Sequence, residues 1–344
     1  MTDKDVLISI VIPVKNAEPW LHDCLRGIQE QTLFSQTEIV LLDSGSTDNT
    51  LEIAKTYPVR LYSIRPEDFN HGLTRNVGVK YCKGKYVVMT VQDAKPTDSY
   101  WLQKLLDGFS VGDNVAGVCG QQVVPKDRDK NPVDWFRPVD EPKTKLYAFK
   151  AEDFDALSPA EKKAACSWDD VNAMYKREVM DEIPFRKISY GEDVIWAREA
   201  LRKGYTLVYQ PSARVYHYHN ENVDYMFRRS LTVMYLWYKS VGFLYPKEPL
   251  SLRSVLSMMK TIAITKPLST AEKYKWMAYN FQRHRSSQRA YQAFFAALAQ
   301  GEESLDELHE KYCGKPPVPL KPTSFEKASA GEKIFAKNES FNED

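Results

Sequence analysis

Within roughly the first 95 residues, apolar runs of strand length alternate with segments of helical spacing, and this alternation constrains the fold more than any other feature of the chain. The runs are Leu7–Val14, Glu38–Asp43, Val59–Ile64 and Tyr86–Val91. Their unbroken apolar character predicts strands buried on both faces, as in a parallel sheet. Between them, Leu21, Leu25 and Ile28 mark a helix in Glu18–Gln31, the small-residue cluster Ser44–Thr50 opens a helix over Leu51–Thr56, and a further helical pattern runs through Tyr81. Pro96–Asp98 starts another helix carrying Trp101, Leu105 and Leu106, and Val115–Gly120 reads as one more strand. The expected class is α/β.

The 344 residues, 43% hydrophobic and 27% charged, have an ordinary globular composition, sufficient for one large domain with appendages or for two. No run approaches the ~20 apolar residues of a membrane-spanning helix, and Met1–Asp5 is polar rather than a signal peptide, so a cytoplasmic protein is expected. Five scattered cysteines, with no Cys-x-x-Cys pair, predict reduced core residues rather than disulfides or a zinc site. The net charge of +1 conceals an asymmetry. Tyr225–Gln300 holds twelve Lys or Arg against Glu248 and Glu272, an excess of +10, so the remainder carries −9.

Several polar residues stand where strands end, which is where open α/β sheets bind ligands. Asp43 either caps the Ser44–Thr50 loop or accepts hydrogen bonds from a base or ribose. In Asp68–Gly78, Asn76 and Gly78 suit close approach to a ligand and Arg75 offers a planar fork to phosphate oxygens; the alternative makes Arg75 a surface residue and His71 a satisfied loop histidine. Tyr86–Val91 delivers Gln92-Asp93-Ala94 to an acidic turn.

Taken in order, Ile12-Pro13-Val14-Lys15-Asn16, Asp43-Ser44-Gly45-Ser46-Thr47-Asp48, Thr74-Arg75-Asn76-Val77-Gly78 and Gln92-Asp93-Ala94 resemble the motifs of family 2 glycosyltransferases. Asp68–Asn76 with Gln92-Asp93-Ala94 is most similar to the bacterial rhamnosyltransferase branch. The resemblance implies a GT-A fold, a Rossmann-like nucleotide-binding mixed sheet flanked by helices and followed by C-terminal helices. It implies that Pro13, Asn16 and Asp43 line the nucleotide, that Arg75, with His71, Asn76 and Gln92 beside it, contacts diphosphate, and that Asp93 holds a divalent metal. Gln92 departs from the pattern, standing near the place of an additional carboxylate, so another metal ligand is required.

Gln121–Leu157 shows no clean period and reads as an extended insertion forming part of the site's wall. Ala164–Tyr175 predicts a strand and turn near the donor sugar. Further on, Glu192-Asp193 precedes a helix with Trp196, Ala200 and Leu201 inward and Gly204 at its end. Acids there can simply favour the helix dipole. The resemblance instead makes Asp193 the catalytic base of an inverting transfer, with Glu192 orienting the acceptor. After the strand Tyr205–Tyr209, the extended segment Pro211–Asn220 points His217 and His219 the same way. Such a His-x-His pair is also similar to the rhamnosyltransferase branch, and His219 is favoured as the missing ligand, with His217 second. One carboxylate and one imidazole suit Mn2+ or Mg2+, the imidazole favouring Mn2+.

The expected organisation is a GT-A domain over 1–222, with a nucleotide-sugar half 1–120 and an acceptor half 121–222. A basic amphipathic helical region follows over 223–313, then a disordered tail over 314–344. The helical region fits either an interfacial segment or a solvated bundle; the former would place the enzyme on the inner face of the cell membrane, near a polyprenyl-diphosphate-linked acceptor. The expected partners are a nucleotide diphosphate sugar, with dTDP-rhamnose the first choice, and a saccharide or lipid-linked saccharide, without nucleic acid. The competing readings are a metal-dependent hydrolase or nucleotidyltransferase, and an inactive saccharide-binding protein.

Overall fold

A computed structural model describes residues 6–135, 143–219, 221–246 and 251–314. The expectations for Phe136–Pro138 and for the tail from Lys315 onward lie outside these residues. The chain divides into two compact units, of which the described parts are 6–123 with 143–217, and 124–135 with the described residues of 218–314. Residues 124–135, inside the stretch read as an insertion, therefore group with the helices of the second unit.

The first unit is built on a nine-stranded sheet. Its strands are β1 (Ile8–Val14), β2 (Thr37–Asp43), β3 (Val59–Ser63), β4 (Tyr86–Thr90), β5 (Lys95–Pro96), β6 (Val115–Val123), β7 (Lys145–Tyr147), β8 (Asn172–Lys176) and β9 (Thr206–Tyr216). The order is β3-β2-β1-β4-β8-β6-β9-β5, with β7 on β9. The first four strands are parallel, and β8 enters antiparallel between β4 and β6, giving the mixed sheet that the GT-A resemblance implies. In β1 every residue but Pro13 is buried, as its continuous apolar run requires.

Helices α1 (Leu21–Gln29), α2 (Thr50–Ala54), α3 (His71–Tyr81), α4 (Trp101–Asp107), α5 (Ala151–Ala156), α6 (Pro159–Ala165), α7 (Arg177–Glu182) and α8 (Glu192–Arg202) complete this unit. The core joins Ile8, Ile10 and Ile12 to Leu21, Leu25 and Ile28 of α1 and to Trp101 and Leu105 of α4. Two sequence expectations are corrected here. Lys95-Pro96 is a two-residue edge strand rather than a helix start, and the stretch from Thr206 to Tyr216 is one strand rather than two segments. Pro211 does not break this strand, because the β6–β9 register slips between Cys119↔Tyr209 and Gln121↔Arg214 and the proline falls at that irregularity, where no ladder N–H is needed.

The second unit holds α9 (Val223–Val241), α10 (Leu252–Ile264), α11 (Thr270–Leu298) and α12 (Glu302–Cys313). Phe227, Leu231 and Met234 of α9 pack with Ala290 and Phe294 of α11 and Leu305 of α12. Residues 124–135 are pinned to α11, with Asn131 and Asn280 exchanging amide hydrogen bonds and Arg283 pairing with Asp134 at 2.8 Å. The apolar faces of α9, α11 and α12 thus form a helical bundle, whereas α10 keeps a second apolar row exposed. No described helix is long and apolar enough to cross a membrane. All five cysteines are free thiols, four of them buried.

Candidate active site

The carboxyl ends of β1, β2 and β4 open on the same side of the sheet. Because β2 and β4 flank β1, the connections after β1 and β4 diverge there and leave a crevice. Gln92 bridges its two lips, accepting from Lys15 N at 2.8 Å and donating to Lys15 O at 3.2 Å. Its carboxamide is therefore engaged on the backbone of Lys15. Asn16 has a left-handed backbone (φ 49°) and accepts from Thr47 N at 2.8 Å, while Asp43 accepts from the N–H groups of Gly45 and Ser46 at 3.1 and 3.2 Å. Asp43 is 3% exposed, so the loop-capping reading describes its contacts. Pro13 is half-buried at the end of β1.

Helix α3 serves as a clamp. Asn70 caps it by accepting from Leu73 N and also donates to Ile188 O, and Asn76 donates to Phe185 O at 2.9 Å while accepting from Phe185 N at 3.0 Å. A Cβ on Gly72 would meet Arg186 O at 2.6 Å, so only glycine lets α3 approach this loop. Asn76 thus holds the loop that delivers Glu192-Asp193. His71 is exposed at the first position of α3, its ring edge-on to Phe69.

The loop ends at Gly191, whose left-handed conformation (φ 83°) turns the chain into α8. Glu192 accepts a short hydrogen bond from Arg75 Nη1, and Arg75 Nε lies 3.3 Å from Asp170 Oδ2. Arg75, Asp170 and Glu192 are 4%, 2% and 6% exposed. The guanidinium of Arg75 and the carboxylate of Glu192, expected at the diphosphate and at the acceptor, are engaged with each other here. A buried guanidinium left unpaired would be severely destabilising; Glu192 takes a hydrogen bond from it and Asp170 supplies a second opposing charge, although Arg75 Nε and Asp170 Oδ2 form no hydrogen bond.

Asp193 stands beside that pair. Its Oδ1 accepts from Val194 N at 2.7 Å and its Oδ2 from Asp170 N at 3.4 Å. Burial, followed by the nearby charges of Asp170 and Glu192, pushes its carboxyl well above the usual range. Burial likewise raises Asp170 to about 7 against the opposing pull of Arg75. Tyr175 donates a short hydrogen bond to Asp170 and accepts from Trp168 Nε1 at 2.7 Å. Asp169, Asp170 and Tyr175 lie in the stretch that the sequence places near the donor sugar, where adjacent acids following Trp168 in an otherwise apolar run are the signal for a buried polar cluster.

At the mouth of the crevice, β5 pairs with the end of β9, Lys95 opposite Tyr216. That pairing brings the Asp93 turn against His217, whose Nε2 is 3.6 Å from Asp93 Oδ1. Asp93 and His217 thus place a carboxylate oxygen and an imidazole nitrogen side by side in the first unit, while His219 belongs to the second. His217 Nδ1 is 2.6 Å from Gln122 Oε1.

Residues 9–183 match the profile of Glycosyl transferase family 2. The chain belongs to this family. Over 218 residues this family 2 chain is 30% identical to the O-antigen chain rhamnosyltransferase RfbN of Salmonella typhimurium, covering 62% of the chain and 67% of the relative. It is 30% identical over 230 residues to the O-antigen chain rhamnosyltransferase WbaN of Salmonella anatum, covering 64% and 69%. Among solved structures it is similar to S. aureus TarS 1–349 in complex with UDP-GlcNAc, with 17% identity, a TM-score of 0.49, and 89% of this chain and 82% of that one covered.

The carboxylate of Asp93 and the imidazole of His217 are donor types that fit a divalent cation.

Proposed function

We propose that this family 2 protein is an inverting, metal-dependent glycosyltransferase that moves a sugar, with L-rhamnose from dTDP-rhamnose the first choice, onto a hydroxyl of a saccharide or polyprenyl-diphosphate-linked acceptor. The reading rests on one continuous chain of contacts. Gln122 touches both His217 and Asp169, and the backbone N–H of the next residue, Asp170, donates to Asp193, so the donors Asp93 and His217 neighbour the base within the first unit. The identity with two rhamnosyltransferases supports the choice of sugar.

In this reading Asp193 accepts the proton of the acceptor hydroxyl as its oxygen forms a bond to the anomeric carbon, while the bond from that carbon to the diphosphate oxygen breaks on the opposite face. Asp93, His217 and His219 are the residues that would hold Mn2+ or Mg2+, and the ion would neutralise charge developing on the leaving diphosphate. Arg75 fixes Glu192 and thereby the first turn of α8, so that Asp193 keeps its direction. Asn16 and the Asp43 loop shape the nucleotide end, with Pro13 beneath. Incubation of labelled dTDP-rhamnose with saccharide acceptors, with and without Mn2+, tests the proposal. Transfer supports it; release to water favours a hydrolase, and binding without turnover an inactive binding protein.

We also propose that the protein associates with an anionic membrane surface through α10. Leu252, Leu256 and Met259, spaced i, i+4, i+7, are 77%, 58% and 43% exposed, and Arg253, Lys260 and Lys266 accompany them with no acid between Ser251 and Thr270. Flotation with anionic vesicles at low salt is the test, and failure to float removes this part of the proposal.

A further inference from the structure

We infer that Gln122 is a positioning residue that fixes the tautomer of His217, so that its Nε2 lone pair faces Asp93. The inference deepens the metal-binding reading above and rests on it for its function, though not for its geometry.

The backbone first places the two side chains together. β6 and β9 run parallel with Gln122 opposite Val215 and Val123 opposite Tyr216, and His217 N donates to Val123 O at 3.1 Å. His217 thus continues β9 past the end of β6, with its ring beside Gln122. Nδ1 and Gln122 Oε1 are 2.6 Å apart.

The direction of the carboxamide follows from its other neighbour. Gln122 Nε2 contacts Asp169 Oδ2, and an ionised carboxylate can only accept, so the NH2 end of Gln122 must face Asp169. Its oxygen then faces His217. An amide oxygen can only accept in turn, so His217 Nδ1 must carry the hydrogen, and in the neutral ring Nε2 is left with the lone pair. Nε2 is the nitrogen 3.6 Å from Asp93 Oδ1. Asp169 is itself held, its Oδ1 accepting from Val171 N at 2.9 Å, so the order Val171, Asp169, Gln122, His217 ends at the metal-binding donors.

Without Gln122 the Nδ1–H loses its acceptor and the other tautomer is no longer opposed there, which turns an N–H toward the cation position. Partners of this kind behind ligating histidines typically contribute about 10- to 100-fold in metal affinity. Gln122→Met, which keeps length but removes both hydrogen-bonding groups, is therefore expected to weaken Mn2+ binding about 10- to 100-fold by calorimetry, with an unchanged circular dichroism spectrum.

A second measurement needs no metal. Side-chain 15N shifts of the metal-free wild-type protein, with His217 assigned by the signal lost in His217→Gln, should show Nδ1 carrying its hydrogen, whether or not Nε2 beside Asp93 carries one as well. An Nε2–H tautomer, or Mn2+ affinity in Gln122→Met within twofold of wild type, overturns the inference. Absence of Mn2+ binding by the wild type would defeat the metal reading alone, and the tautomer would still decide the role of Gln122.

Discussion

Arg75 on α3 donates to Glu192 at the start of α8 across 117 positions of sequence, and the pair is closed to solvent. Two motifs that the family resemblance treats as separate ligand contacts are thereby one structural unit. Arg75 ties the helix after β3 to the helix carrying Asp193, the proposed base.

Arg75→Met is accordingly expected to destabilise the protein by about 3–5 kcal/mol, because it strands two buried carboxylates around one missing cation. Denaturant unfolding measures this. A loss below about 1 kcal/mol, the range of exposed pairs, would show that the pair is not buried in solution.

Asp193→Asn should lower kcat by about 10²- to 10⁴-fold while leaving affinity for the nucleotide sugar near wild type, since only proton removal is lost. Retained turnover would move the base elsewhere.

The pH dependence of rate and of stability should oppose each other. Asp193 must be ionised to act and burial holds its proton, so kcat/KM should rise with pH along a limb lying well above the ordinary carboxylate range. Asp170 is raised in the folded state from 3.8 to about 7, so its contribution to stability is complete below 3.8 and disappears as pH rises through about 7. Midpoints of thermal unfolding across pH 5 to 9 test this. The wild type should lose more than Asp170→Asn over that interval, and parallel curves would refute the assignment.

Asp93→Ala and His219→Ala should each reduce both Mn2+ affinity and transfer, and a chelator should abolish wild-type transfer until Mn2+ or Mg2+ is restored. His219→Ala with undiminished metal dependence would leave Asp93 and His217 as the protein's donors.

Leu256→Glu places a charge in the exposed apolar row of α10 while the buried row containing Met258 and Ile262 is untouched. It should weaken vesicle binding at least tenfold without changing transfer to a soluble acceptor; equal binding would assign the contact to another surface.

The local periodicities of the sequence determined the strands and helices of the sheet half, because a strand buried on both faces must be apolar throughout and a helix on a sheet must repeat near 3.6. Leu7–Val14 and Leu21, Leu25, Ile28 left little choice. Ordered motifs likewise pointed to Asp93, Asp193 and the two histidines as residues of interest. Tertiary structure decided what each polar side chain touches. Nothing local to Arg75 distinguishes a guanidinium open to phosphate from one enclosed by acids nearly 100 and 117 positions away. Asn76 and Gln92 are alike in this, each matched by backbone groups of a distant segment. The two-residue strand Lys95-Pro96 carries no periodicity at all, yet its pairing with Tyr216 brings Asp93 to His217. A hydrogen bond or ion pair between such segments depends on where the sheet places them, and strand order is a property of the whole chain.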